Sequence, residues 1–205
     1  MRLAVLLQAR MDSSRLPGKV MMELEGKSLL SHVIERVLKV VPDIFIITTP
    51  ESTEIIEYAK TNNICYSLDH VPRDVLDSYY QCANSYGIEH IIRITADNPL
   101  IRPETISKVI SFYFHGDYDW AANCRLKTTF PVGDDVEIFS FKVLEKAFNN
   151  TSDKYDREHV TPYIYNHPEL FKLGVLENDS DQSNLRWTVD TMEDLENVRK
   201  LVGDC

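Results

Sequence analysis

Three short stretches gather side chains that could handle phosphate and a divalent cation. In QARMDSSRLPGK (8–19), Arg10, Arg15 and Lys19 stand among the hydroxyls of Ser13 and Ser14, and Gly18 lets the backbone bend. Arginine offers phosphate a planar fork, lysine a point charge, and the N–H groups of such a loop can form an anion-binding concavity. The spacing is neither GxxxxGK[ST] nor GxGxxG, and a solvated turn is the other reading. In ITADNPLI (94–101), Asp97 leaves an apolar run and precedes a proline; in RWTVDTMEDLE (186–196), Asp190 stands at a similar place. A carboxylate there can bind a hard cation through oxygen, or serve an Asx-turn or a helix cap.

Further polar clusters could line the same cleft. FPVGDDVEIFS (130–140) carries Asp134, Asp135 and Glu137, which could instead be the outward residues of a strand. DREHVTPYI (156–164) carries Arg157, Glu158 and His159, a trio equally at home on a surface. Arg73 and Asp74 in VPRDVLDSYY (71–80) mark a loop-to-helix junction, for nucleotide contact or for charge pairing at a helix start.

What must position these residues is an alternation of apolar and amphipathic runs. RLAVLLQ, DIFIITT, ICYSLD and HIIRIT read as buried strands, with amphipathic helical runs between them. That pattern predicts an α/β fold with a mainly parallel sheet covered on both faces. Ligands of such sheets sit beyond the carboxyl ends of the strands, where the first loop and Asp97 fall. The helix from 28 to 41 is the best defined, with Ser28 as its cap. Further on, a helix near Pro103, strands through YDWAANC and DVEIFSF, and a helix from about Val143 are expected. KYDREHVTPYIYNHP (154–168) reads as a broken, protruding helix, LFKLGVLE and NLRWTV as strands, and TMEDLENVRKLV as a final helix capped by Thr191 with Asp194 in a capping box.

The 205 residues, 43% hydrophobic and 26% charged, suit a globular chain with a sizeable core. A net charge of −10 disfavours a nucleic-acid or membrane surface, so any phosphate site must be local. Cys65, Cys82, Cys124 and Cys205 form no CxxC pair or metal-finger spacing, which fits free thiols. No apolar run reaches membrane-spanning length, and cytoplasmic residence is expected.

Taken together, QARMDSSRLPGK, RITADNPLI, FPVGDDVEIFS, REHVTPYI and RWTVDTMEDLE resemble the sugar-acid cytidylyltransferase superfamily. The resemblance is strongest to its SpsF-like branch of spore coat polysaccharide biosynthesis, with CMP-KDO and CMP-sialic acid synthetases as relatives; it spans nearly the whole chain, in family order. It implies one Rossmann-like, GT-A-related nucleotidyltransferase domain over 1–205, with 125–170 contributing an acceptor-site and dimerisation segment. It also implies Mg2+ as cofactor, CTP and a sugar or sugar-acid acceptor as partners, and a homodimer. Arg10, Ser13, Arg15 and Lys19 match the family's triphosphate loop, with Ser14 beside them, and Arg73 and Asp74 its nucleotide-side helix start. Asp97 and Asp190 match its metal aspartates; Lys19, Arg10 and Asp97 are then the expected catalytic groups. Asp135, Glu137, Arg157, Glu158, His159 and Arg186 are the expected acceptor contacts. The chain departs from the family at Gln8, at Met192 and at Asp134, the last of which would alter the acceptor pocket. A GT-A-type glycosyltransferase and a non-catalytic nucleotide-binding subunit of a polysaccharide pathway are the alternatives.

Overall fold

A computed structural model describes residues 1–69, 71 and 73–203. In chain order the elements are β1 (Leu3–Gln8), β2 (Glu23–Leu24), β3 (Lys27–Ser28), α1 (Leu29–Val37), β4 (Ile44–Thr48), α2 (Thr53–Thr61), β5 (Cys65–Leu68), α3 (Val75–Tyr86) and β6 (His90–Thr95). They continue as α4 (Pro103–Gly116), β7 (Trp120–Ala122), β8 (Glu137–Ser140), α5 (Phe141–Asn150), α6 (Lys154–His159), α7 (Pro162–Tyr165), β9 (Leu173–Val175) and α8 (Met192–Gly203). A seven-stranded sheet runs β5-β4-β1-β6-β8-β7-β9, with β8 antiparallel to both its neighbours and every other pairing parallel. This is the mainly parallel α/β architecture that the apolar runs predict.

Successive strand residues point to opposite faces, so one run feeds two cores. Val5, Leu7, Ile44, Ile46, Ile92 and Ile94 pack under α1, α2 and α4, while Ala4, Leu6, Phe45, Ile47 and Ile91 pack under α3 and α5. Both faces are apolar because both are covered. The chain steps outward from β1 through β4 to β5, then crosses back to β6 on the other side of β1. That reversal opens a crevice beyond the ends of β1 and β6.

A third cluster decides where the site can form. Leu16 of the first loop, Leu24 of β2 and Leu29 at the start of α1 pack with Val189, Leu195 and Val198 from the chain's far end. Apolar contact thus lays the cationic loop against the segment that carries Asp190.

Several expected elements differ in extent. The helix expected from 28 to 41 closes at Val37; Ser28 does cap it, accepting from the Ser31 amide, and the chain beyond tightens into turns. NLRWTV is not a strand: its one strand-like pairing is an isolated Val132–Arg186 bridge. Gly133 explains the closeness, because at φ 104° its missing Cβ leaves room for the Thr188 amide, which would stand 2.4 Å from such an atom. The segment 154–168 is broken, as α6 and α7, yet it does not protrude: Val160 and Ile164 are buried in the core under α3 and α5. Thr191 and Asp194 form the capping box of α8 reciprocally, Asp194 N–H to Thr191 Oγ1 at 3.2 Å and Thr191 N–H to Asp194 Oδ2 at 3.0 Å. Cys65, Cys82 and Cys124 are free thiols; Cys205 lies outside the described residues.

Candidate active site

A cleft of about 580 Å³ opens beyond the ends of β1 and β6, with Gln8 and Thr95 at its floor. The first loop forms one wall. Gly18 turns it with a left-handed φ of 71°, its N–H bonded to Met11 O, and Lys19 starts a 3-10 turn directly after. Lys19 is thereby directed inward and is only 7% exposed. Its Nζ donates to Asp97 Oδ2 at 2.8 Å, to Asp190 Oδ1 at 2.9 Å and to Val189 O at 2.8 Å. All three donors of the ammonium are engaged.

Asp97 and Asp190, remote in sequence, therefore converge on one nitrogen. The convergence is built by backbone as well: Val189 N–H donates to Asp97 O at 2.8 Å. Asp97 Oδ1 is buried without a hydrogen-bond partner, an oxygen placed for a cation. Burial works to raise the Asp190 carboxyl, but Lys19, Arg15 and Arg186 outweigh it and hold it below the ordinary range. Two convergent carboxylates, one with a spare oxygen, fit Mg2+, which uses one or two carboxylates together with substrate phosphates and water. Among the described residues no group of three or more His, Cys, Asp or Glu could hold a metal by itself.

The remaining cationic residues frame the cleft. Arg15 is exposed and reaches Asp190 Oδ1 at 2.8 Å, and Ser13 and Ser14 line the same wall. Arg10 donates to Asp69 Oδ2 at 2.7 Å. Asp69 was not anticipated from the sequence; burial pushes its carboxyl up despite Arg10. Arg73 lines the cleft from a left-handed backbone, φ 63°, a conformation that costs a non-glycine residue about 1 kcal/mol.

The residues expected around the acceptor separate into two sets. Glu158 and His159 line the cleft. Asp135 lies in an adjoining hollow of about 350 Å³ with Arg125, Tyr155 and Tyr165, and burial lifts its carboxyl to about 6. Tyr155 meets the His159 ring edge-on at 4.4 Å, joining the two spaces. Glu137, Arg157 and Arg186 serve protein groups instead. Glu137 is fully buried, not outward: its Oε1 accepts from Arg93 at 2.6 Å and Arg125 at 3.0 Å, and its Oε2 from the Trp120 indole at 3.3 Å. Burial opposes its ionisation, yet Arg125 and Arg93 keep it below the ordinary carboxylate range. Arg157 grips Asp74 with contacts of 2.6 and 2.9 Å, and Asp74 also caps α3 through the Asp77 amide; neither lines the cleft. Arg186 binds Asp194 and Asp190.

Asp134, expected to change the acceptor pocket, is fully buried and pins the start of α4. It accepts from the Arg102 amide and guanidinium at 2.7 to 2.9 Å and from Thr105 Oγ1 at 2.7 Å. Arg93, like Asp12, lines the cleft without having been marked by pattern reading, although a lone cation inside the apolar run HIIRIT was its visible signal. A buried arginine needs a carboxylate partner, and Glu137 supplies it across the β6–β8 register.

Comparison with known proteins bears on this geometry. Residues 4–204 match the cytidylyltransferase family model. Spore coat polysaccharide biosynthesis protein SpsF of Bacillus subtilis is 31% identical over 209 residues, covering 96% of this chain and 84% of that protein. A 3-deoxy-manno-octulosonate cytidylyltransferase of Lawsonia intracellularis is 26% identical, covering 97% of this chain and 93% of the relative. The solved structure of a cytidylyltransferase from Leptospira borgpetersenii superposes with a TM-score of 0.94 at 31% identity, covering 100% of this chain and 88% of that one. The chain belongs to the cytidylyltransferase family and is a nucleotidyltransferase enzyme.

Proposed function

We propose that this enzyme transfers CMP from CTP to a sugar or sugar-acid acceptor, releases pyrophosphate, and serves surface polysaccharide biosynthesis. The observation that carries the reading is the junction of Lys19 with Asp97 and Asp190 at the inner wall of the cleft. The names of the SpsF and 3-deoxy-manno-octulosonate relatives support the acceptor class and the pathway.

An acceptor hydroxyl oxygen attacks the α-phosphorus of CTP, the bond from that phosphorus to the bridging oxygen breaks, pyrophosphate departs, and the hydroxyl proton is lost to water. Asp97 and Asp190 would hold Mg2+, which neutralises phosphate charge and orients the reacting groups. Lys19 and Arg10 stabilise charge developing on the phosphates, and Arg15, Ser13 and Ser14 hold the phosphate chain. Because every donor of Lys19 is already engaged, the ammonium must release at least one protein oxygen to meet a phosphate. No covalent enzyme intermediate is required; positioning and electrostatics carry the reaction. Arg73, lining the cleft, would meet the nucleotide, and Asp135, Glu158 and His159, in the hollow and the cleft, would meet the acceptor. The aromatic-rich segment 154–168 suits a homodimer contact.

Thermal denaturation with CTP, UTP, ATP and GTP, each with and without Mg2+, tests the nucleotide assignment, because a ligand of the native state raises its stability by mass action. CTP with Mg2+ is expected to give the largest rise; an equal rise with every nucleotide, or none, would count against it.

A further inference from the structure

Beside the cleft, a second hollow of about 500 Å³ opens beyond the ends of β4 and β5, and Arg10, Asp12 and Arg73 line both spaces. The first loop is tied to it: the Met11 amide donates to Ser52 Oγ at 3.3 Å, and Arg10 Nη2 to Asp69 Oδ2 at 2.7 Å. Met11 and Pro50 give the hollow apolar surface, and Asp69, only 8% exposed, gives it a carboxylate. A ligand held by its phosphates on the first loop has room here for a flat, partly polar ring.

Unsatisfied polarity concentrates at the same place. Of the six buried side-chain polar atoms without a hydrogen-bond partner among the described residues, three are Arg10 Nε, Thr48 Oγ1 and Asp69 Oδ1. Thr48 and Asp69 adjoin, since the Asp69 amide donates to Thr48 O at 2.8 Å. Ser78, like Arg10, favours the ionised carboxylate of Asp69, but its hydroxyl donates to Asp74 O at 3.2 Å. Asp69 Oδ1 is therefore an acceptor that lacks a donor, a costly state that the N–H of a ligand would relieve.

Pyrimidine bases differ at one edge. Cytosine carries an amino group at C4, a donor that aspartate can accept from, whereas uracil carries a carbonyl there. A carboxylate facing C4 attracts the amine and repels the carbonyl, and a site built around one hydrogen bond rejects the analogue that lacks it.

Resting on the reading that the cleft binds CTP, we propose that Asp69 is a specificity-determining residue: in the hollow beside the first loop, its Oδ1 accepts the amino N–H of cytosine and so selects CTP over UTP. Arg10 fixes the carboxylate through Oδ2, which leaves Oδ1 as the reading atom. Because Arg10 lines both spaces, it joins the reader of the base to the loop that holds the phosphates.

The test compares dissociation constants of CTP and UTP, each with Mg2+, by calorimetric titration into the full chain. In the wild type CTP is expected to bind at least about 10-fold tighter than UTP. The 2-pyrimidinone nucleoside triphosphate, with hydrogen at C4 in place of amine or carbonyl, should also bind at least about 10-fold more weakly than CTP. Asp69→Asn offers both an N–H and a carbonyl, so its preference for CTP over UTP should fall at least about 5-fold. Asp69→Ser, whose hydroxyl can donate or accept, should lower the preference likewise and serves if the asparagine variant does not fold. An unchanged preference in the folded variant, equal weakening of both nucleotides included, overturns the proposal, as does wild-type binding of the pyrimidinone as tight as that of CTP. Equal wild-type affinity for CTP and UTP overturns the cytosine reading itself, whereas a wild-type preference that survives in Asp69→Asn removes only the role of Asp69.

Discussion

Lys19 is the residue on which the chemistry turns, since one ammonium joins the cationic loop to both aspartates. Lys19→Ala is expected to lower pyrophosphate release from CTP by about 100-fold or more, the scale seen when a preorganised charge-stabilising donor is lost; release at the wild-type rate would remove Lys19 from the mechanism. Asp135 predicts a pH effect. Its carboxyl is lifted by burial to about 6, so between about pH 4 and 6 the folded protein keeps a proton that the unfolded chain has released. Stability contributed by this group therefore falls as pH rises through that window. Asp135→Asn should raise stability above pH 6 by about 3 kcal/mol and flatten the dependence, as read by urea denaturation at pH 4.5 and 7; an identical pH profile would contradict the shift. At this scale the sequence exposed which side chains carry charge but not whom they face. Asp134, Asp135 and Glu137 look alike in FPVGDDVEIFS, yet one pins α4, one opens onto a hollow and one lies beneath two arginines. The difference comes from long-range partners, Arg102, Arg93 and Arg125, that no local spacing specifies.

Elements were legible where burial is periodic. The strands β1, β4, β5 and β6 follow from apolar runs, and the caps Ser28 and Thr191 from side-chain chemistry, whereas the cap at Asp74 emerges only in the structure. NLRWTV was misread because Leu185, Trp187 and Val189 alternate as a strand would, while tertiary packing gives this stretch only one bridge. That bridge nevertheless matters to the site, since Trp187 and Thr188 both donate to Val132 O and Val189 donates to Asp97 O. Gly133 permits the approach. Gly133→Ala should destabilise the fold by more than about 1 kcal/mol, because both the left-handed φ and the backbone 2.4 Å away oppose a Cβ. The thermal midpoint would fall; an unchanged midpoint would show that the two segments part without cost.

Across the whole molecule, the fold brings the first loop and the segment that carries Asp190 together beside one crevice at the reversal of strand order, and in an overall acidic chain that crevice is lined by Arg10, Arg15, Lys19, Arg73 and Arg93. No helix among the described residues is long and apolar enough to cross a membrane. If segment 154–168 forms a homodimer contact, sedimentation should give twice the 23.7 kDa chain mass, and Tyr155→Asp, at an exposed aromatic, should shift it towards one chain; a single-chain mass for the wild type would rule that assembly out. If Asp97, Asp190 and Lys19 form one nucleotide-and-metal site, calorimetric titration of CTP with Mg2+ will give one-to-one binding that depends on Mg2+ in the wild type and loses that dependence in Asp97→Asn. Mg2+-dependent binding of equal affinity in both proteins would contradict such a site.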